Sequence, residues 1–150
     1  MRWAAIIVTL VLLNTDFGLA GFLGRRFVPW NPLLPRVGAA LALTGIAFAI
    51  WARYHIGRYW SGSVALKVGH ELIRTGPYAH IRHPIYTGVL VALAGTALAI
   101  GRYGALLAFL ILLADLTWKS RTEEALLAQE FGPAFEEHRS RTGFFLPRFS

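Results

Sequence analysis

A chain of 150 residues has room for one domain. Its residues are 55% hydrophobic and 15% charged, with a mean hydropathy of +0.50; an average soluble domain is about 45–50% apolar and about 25% charged. Too little charge is left to cover a water-facing surface, intrinsic disorder is excluded, and the absence of cysteine removes disulfides, thiolate zinc sites and a cysteine nucleophile.

The net charge of +7 comes from 15 Lys and Arg against 8 Asp and Glu. Nucleic-acid binding needs such charge clustered on a polar face. Here it occupies the gaps between long uncharged runs, where Arg and Lys anchor helices and meet anionic headgroups. Membrane lipids are the expected partners, and no nucleic acid is.

Four apolar stretches follow one another: 3–23, broken by Asn14 and Asp16; 37–52, between Arg36 and Arg53; 85–100, after His83-Pro84; and 103–118, which contains only Asp115. A helix needs roughly 20 residues to cross a hydrocarbon core of about 30 Å. Shorter runs are extended by flanking Arg, Trp and Tyr, and Trp3, Trp30, Trp51, Tyr54, Trp60, Tyr103 and Trp118 stand at the borders. The expected fold is all-α: a polytopic helical membrane protein with about four transmembrane helices and a cytoplasmic C-terminal helix. Met1-Arg2 and the apolar run after it also fit a signal peptide, with Gly18-Leu19-Ala20 as a poor cleavage site; three further apolar segments favour retention as a first span. Four spans put both termini and the 53–84 loop on one side with 11 of the 15 basic residues, which makes that side the cytoplasm of an inner, plasma or endomembrane.

Gly101-Arg102-Tyr103-Gly104 makes a tight connection, so the third and fourth spans should form an antiparallel hairpin. Gly88, Ala92, Gly95 and Ala99 share one helix face, where small residues let a neighbouring backbone approach closely or border a lipid-facing entrance.

The polar material lies in 53–84 and 119–150. His55, His70, His80 and His83 raise the question of a metal. Pro84, however, disfavours helix at His83, and His70-Glu71 is followed by Arg74 where a zincin needs its second histidine. No ligand set is completed, and no metal is expected. Nucleophile-elbow and dinucleotide fingerprints are also missing.

Gly76-Pro77 signals a turn, and Pro84 suits the first position of a helix. The helix start beside Arg82 and His83 can receive a carboxylate or phosphate, and Tyr78 and Tyr86 offer faces to an adenine or an onium charge. The same residues equally suit anchoring at headgroup level. From Lys119 to Phe131, Leu126, Leu127 and Phe131 form a stripe that either continues the fourth span or lies on the membrane surface, ending at Gly132-Pro133. Glu123 and Glu124, adjacent carboxylates just past a span, either meet a cation (a ligand's amino group or an arginine) or form a solvated acidic face.

The run G-P-Y-x-x-x-R-H-P-x-Y-x-G from Gly76 to Gly88, preceded by His70 and followed by Glu123-Glu124, Phe131-Gly132 and Leu146-Pro147, resembles the isoprenylcysteine carboxyl methyltransferase family, which is related to the phospholipid N-methyltransferases. The resemblance covers roughly the last 80 residues. It implies one integral membrane methyltransferase domain over 1–150 that uses S-adenosylmethionine in a cytoplasmic pocket formed by about 68–88 and 119–147. By motif position, His70, Leu72, Ile73, Tyr78, His83, Pro84, Ile85, Tyr86 and Glu123 would line that pocket, with Arg82 and Glu124 beside them. Arg121 or Lys119 would face the acceptor's carboxylate. The acceptor implied is lipophilic, such as a prenylated cysteine, entering between helices. Two alternatives within enzymes are a methyltransferase for phospholipids or other small lipophiles at N, O or S, and an NADPH-dependent membrane reductase of the steroid-reductase type; a small membrane scaffold is the non-enzymatic one.

Overall fold

Among the described residues of the computed structural model there are five α-helices: α1 Arg2–Leu13, α2 Leu33–Ile56, α3 Pro84–Ile100, α4 Tyr103–Phe131 and α5 Pro133–Arg141. Short 3-10 turns lie at Phe22–Gly24 and Gly76–Ala79. The structure describes residues 2–14, 21–57 and 72–149, and among them there is no strand, only isolated bridges.

The boundaries follow from local chemistry. Asn31 opens α2: its side-chain oxygen accepts from the Leu33 N–H at 2.8 Å, satisfying a donor that has no partner inside the helix. The helix overshoots the expected 37–52 at both ends and stops before Gly57, whose φ of 55° leaves the helical region. Pro84 begins α3 one residue before the expected start. No break follows Trp118, so the fourth apolar stretch continues into its polar half as one helix of 29 residues. Gly132, with φ 49°, ends it, and Pro133 starts α5. Of the stretch 3–23, α1 accounts for the first part; residues 15–20 lie outside those described.

Among the described residues, two helices, α2 and α4, are long and apolar enough to cross a membrane. Only 11% of the most apolar window of α2 is buried, so it is not the core helix of a water-soluble domain. Val37, Leu43, Ile46 and Ile50 point outward, and hydrocarbon is the solvent that matches such a surface. Thr44 and Thr96 donate to the carbonyls of Ala40 and Ala92 at 2.8 and 2.9 Å, so their hydroxyls carry no unmet polarity into that solvent.

The chain divides into two compact units, Met1–Ile46 with Val89–Leu116, and Ala47–Gly88 with Thr117–Ser150. In the first, α2 and α3 meet backbone to backbone. A Cβ added to Gly95 would stand 2.5 Å from both the Ala42 nitrogen and the Gly38 oxygen, and one on Gly38 2.6 Å from the Ala99 nitrogen. The small face read from the sequence is therefore a helix–helix contact at Gly95 and Ala99. Gly101, with φ 67°, forms a two-residue link with Arg102 between α3 and α4. The 25–27 segment covers that link: Tyr103 N–H donates to Arg25 and Phe27 N–H to Gly101, both at 3.0 Å, and Phe22 stacks on Tyr103 at 4.4 Å.

The second unit is built around Phe135, Pro84 and Ser120, the largest fully buried side chains. α5 packs Phe135 and His138 inward, and the segment after it crosses the loop before α3 through a parallel bridge between Ile81 and Gly143.

Because nothing at the Gly95 crossing can yield but backbone, Gly95→Leu should cost roughly 1–3 kcal/mol of stability, the usual range for overpacking, or more if α2 and α3 must separate. A lowered thermal midpoint in detergent, compared with a leucine at exposed Gly21, checks it.

Candidate functional site

Arg82 stands at the centre of the second unit. Its Nε donates to Glu124 Oε1 at 2.6 Å, and its Nη1 donates to the carbonyls of Arg139, at 3.2 Å, and Thr142. The guanidinium also lies over the Phe144 ring, 5.7 Å from its centroid. A planar fork with five donors can satisfy partners in several directions at once, which an ammonium cannot. One side chain thus joins the entrance of α3, the polar half of α4 and the end of α5.

The main chain repeats this connection. The N–H groups of Arg82 and His83 donate to Gly143 at 2.9 Å and Phe144 at 3.3 Å, and Gly143 N–H returns a bond to His80 at 3.0 Å. Thr87 Oγ1 donates to Phe145 at 2.8 Å. The backbone donors just before α3 are therefore held by the C-terminal segment and are not open to an anion.

His83 is buried between the two carboxylates of α4. Its Nε2 lies 3.1 Å from Glu124 Oε1 and its Nδ1 3.8 Å from Glu123 Oε2. Tyr86 stacks on one side of the imidazole at 5.8 Å, while Phe144 meets it edge-on at 5.0 Å. Tyr86 donates its hydroxyl to Glu123 Oε1 at 2.8 Å. Lys119, one turn earlier on α4, places Nζ 3.6 Å from the same oxygen and 4.7 Å from the Tyr86 ring centre. Pro84 is fully buried beneath.

The adjacent glutamates have different surroundings. Burial raises the Glu124 carboxyl, but hydrogen bonds from His83 and Arg82 and the charge of Arg82 outweigh it, so its pKa lies below the usual range. Glu124 is thus a fixed anion inside a structural tie. Glu123 is more open, with 22% of its side chain exposed against 11% for Glu124.

The structure brings Arg82, His83, Tyr86, Lys119, Glu123 and Glu124 together. Ile85, Leu72 and Ile73 are half-buried in the same unit, and His70 lies outside the described residues. Tyr78 is tied to the end of α2, its hydroxyl 3.5 Å from the Ala52 carbonyl and its ring stacked on His55 at 6.3 Å. Burial pushes the Tyr78 phenol above its ordinary pKa, with Arg53 pulling down and Glu123 pushing up. Arg121 is not in the cluster: two residues from both Lys119 and Glu123, it is turned about 200° around α4 from each.

Sequence reasoning weighed His55 only as a metal ligand and did not find Arg139, Phe144 or Phe145. The His55 imidazole bonds to Thr75 at 2.9 Å and fills the space a Cβ on Gly76 would take. Arg139 enters the tie through its carbonyl, which no residue type advertises. Among the described residues, no three His or carboxylate side chains are arranged to hold a metal ion.

Removing Arg82 would leave Glu124 charged in a site where both side chains are only 11% exposed. Arg82→Ala is therefore expected to cost roughly 3–5 kcal/mol, as breaking a buried pair does, read as a fallen thermal midpoint. His138 gives a pH test. Burial, then the charges of Arg74 and Arg82, hold its pKa below the ordinary histidine value, with Glu124 pulling the other way. The unfolded chain then takes up the proton first, so stability from this group is complete above about pH 6.5 and falls as pH drops towards its folded value. Between pH 7.5 and 5.5 the thermal midpoint of the parent chain should fall further than that of His138→Gln.

The family model for the isoprenylcysteine carboxyl methyltransferase (ICMT) family matches residues 38–129. The cobalt-zinc-cadmium resistance protein CzcN of Cupriavidus metallidurans is 33% identical over 147 residues, covering 97% of this chain and 62% of that protein. The protein-S-isoprenylcysteine O-methyltransferase of Schizosaccharomyces pombe is 33% identical over 99 residues, 64% of this chain and 42% of that one. Among solved structures, the eukaryotic intramembrane Ras methyltransferase ICMT superposes with a TM-score of 0.76 at 19% identity, over 99% of this chain and 54% of that one. The chain thus spans 62% or less of each of these relatives. Fold and matched sequence agree, and the chain belongs to the ICMT family.

Proposed function

We propose that this chain is a membrane methyltransferase that uses S-adenosylmethionine and methylates the carboxylate of a lipophilic, isoprenylcysteine-like acceptor. The observation that carries the reading is the Glu123–Tyr86–Lys119 cluster. It sets a half-open carboxylate, an aromatic face and an ammonium within 3.6 Å of one oxygen or 4.7 Å of one ring. Four spans with both termini and the site in the cytoplasm belong to the same proposal, supported by the placement of 11 of the 15 basic residues.

The donor set fits the cofactor. Glu123 suits its ammonium, the rings of Tyr86 and Tyr78 suit a sulfonium or an adenine, and Leu72, Ile73, Pro84 and Ile85 give apolar walls. Ser120 Oγ, buried with no partner among the described residues, lies one turn before Glu123 and Glu124 and can take a further polar contact. When bound, S-adenosylmethionine supplies a methyl group activated on sulfonium. The chain's own task is alignment and exclusion of water. An acceptor carboxylate is already ionised at neutral pH, so no base is needed. Of the two cations expected to face the acceptor, Lys119 is kept for that role because it stands beside Glu123.

Glu123→Gln should keep its fold and bind S-adenosylmethionine about tenfold or more weakly in detergent, the loss of one hydrogen bond to a charged group. Calorimetry with the cofactor and transfer of labelled methyl to an S-prenylated cysteine test the reading. Binding of NADPH instead, or of neither ligand, overturns it.

A further inference from the structure

The face of α4 turned away from Lys119 and Glu123 borders a cavity of about 490 Å³ that the proposed reaction does not use. Arg121 and Glu124 line it from α4, Arg82 from the entrance of α3, Arg139 from α5, and Phe144 and Phe145 from the closing segment. Three arginines line this space with one glutamate. That carboxylate is already matched by Arg82 at 2.6 Å, leaving the charges of Arg121 and Arg139. Arg139 has an exposed contact with Glu136 at 3.5 Å, which contributes little in water. Arg121 pairs with no described residue. Two cationic residues lining one cavity from different helices, without adequate counter-charge, suit an oxyanion.

The geometry points to the phosphate of an anionic phospholipid as the occupant, gripped by Arg121 and Arg139. Two observations favour a headgroup over a free anion. Arg121 follows by three residues the exposed Trp118, which ends an apolar stretch carrying a single charge; tryptophan at such a border marks headgroup depth, where basic pockets meet lipid phosphates. The volume lies in the range of about 300–1,000 Å³ used by small organic ligands, larger than a lone phosphate fills, and Phe144 and Phe145 give the remaining space an apolar wall for the glycerol backbone. The site then holds the polar half of α4 against the membrane surface.

The test uses the full chain in neutral detergent, titrated with phosphatidylglycerol or with phosphatidylcholine of the same acyl chains, and bound lipid is counted by native mass spectrometry. One phosphatidylglycerol should bind in preference to phosphatidylcholine. Arg121→Gln with Arg139→Gln should weaken it at least tenfold, and Arg121→Gln alone should weaken it measurably if the double variant does not fold. Arg148→Gln, an exposed arginine outside the cavity, should change it less than twofold. Equal binding of the two lipids overturns the inference, as does an equal loss in Arg148→Gln, which would reveal general charge attraction. Displacement of the lipid by inorganic phosphate at matching concentration overturns the headgroup assignment in favour of a free anion. Neither cofactor nor methyl transfer enters the readout, so failure here is distinct from failure of the proposed reaction.

Discussion

Arg82 carries an always-charged group into a place where little water reaches it. The desolvation cost of such a group is offset only when its donors all find acceptors. Glu124 supplies one, the carbonyls of Arg139 and Thr142 supply others, and the Phe144 ring covers the guanidinium face. The acceptors come from segments 42 to 60 residues away in the chain. None of these segments could move independently without stranding a charge, so one guanidinium imposes cooperativity on the second unit.

That constraint separates the roles of two neighbouring glutamates. Glu124 is committed to Arg82 and His83, and its carboxyl is correspondingly acidic. Glu123, one position on the other side of the same helix turn, keeps Tyr86 and Lys119 for company and remains more open. A tie and a binding group therefore sit side by side in the sequence. His83 touches both, and Tyr86 lies parallel to its ring, which fixes the geometry of the binding group to that of the tie.

Much of this was legible beforehand where residue type alone carries the signal. Long apolar runs, broken by no charge but Asp115, mark α2, α3 and the first half of α4, because a polar group exposed to hydrocarbon is costly at every position. The family resemblance implies that Arg82-His83 and Glu123-Glu124 share one pocket, but around a ligand; that Arg82 and His83 hold Glu124 directly emerges only from the fold. Other parts act through atoms that every residue shares. The carbonyls of Gly143, Phe144 and Phe145 hold the α3 entrance, and nothing in their side chains announces it. His55 matters because Gly76 leaves room for its ring, a complementarity that exists only after folding. Whether Lys119 or Arg121 faces the cluster becomes decidable once α4 is known to be unbroken, since helical phase then separates them.

The segment that completes the Arg82 tie is made well after the arginine itself. A ribosome adding about 5–20 residues per second needs about 3–12 s to travel the 60 positions between Arg82 and Thr142. During that interval α3 and α4 are themselves being made, and the guanidinium must stay hydrated until its acceptors arrive. The tie therefore closes only after the apolar helices between Arg82 and its acceptors have been synthesised, and closure waits on residues 139–145.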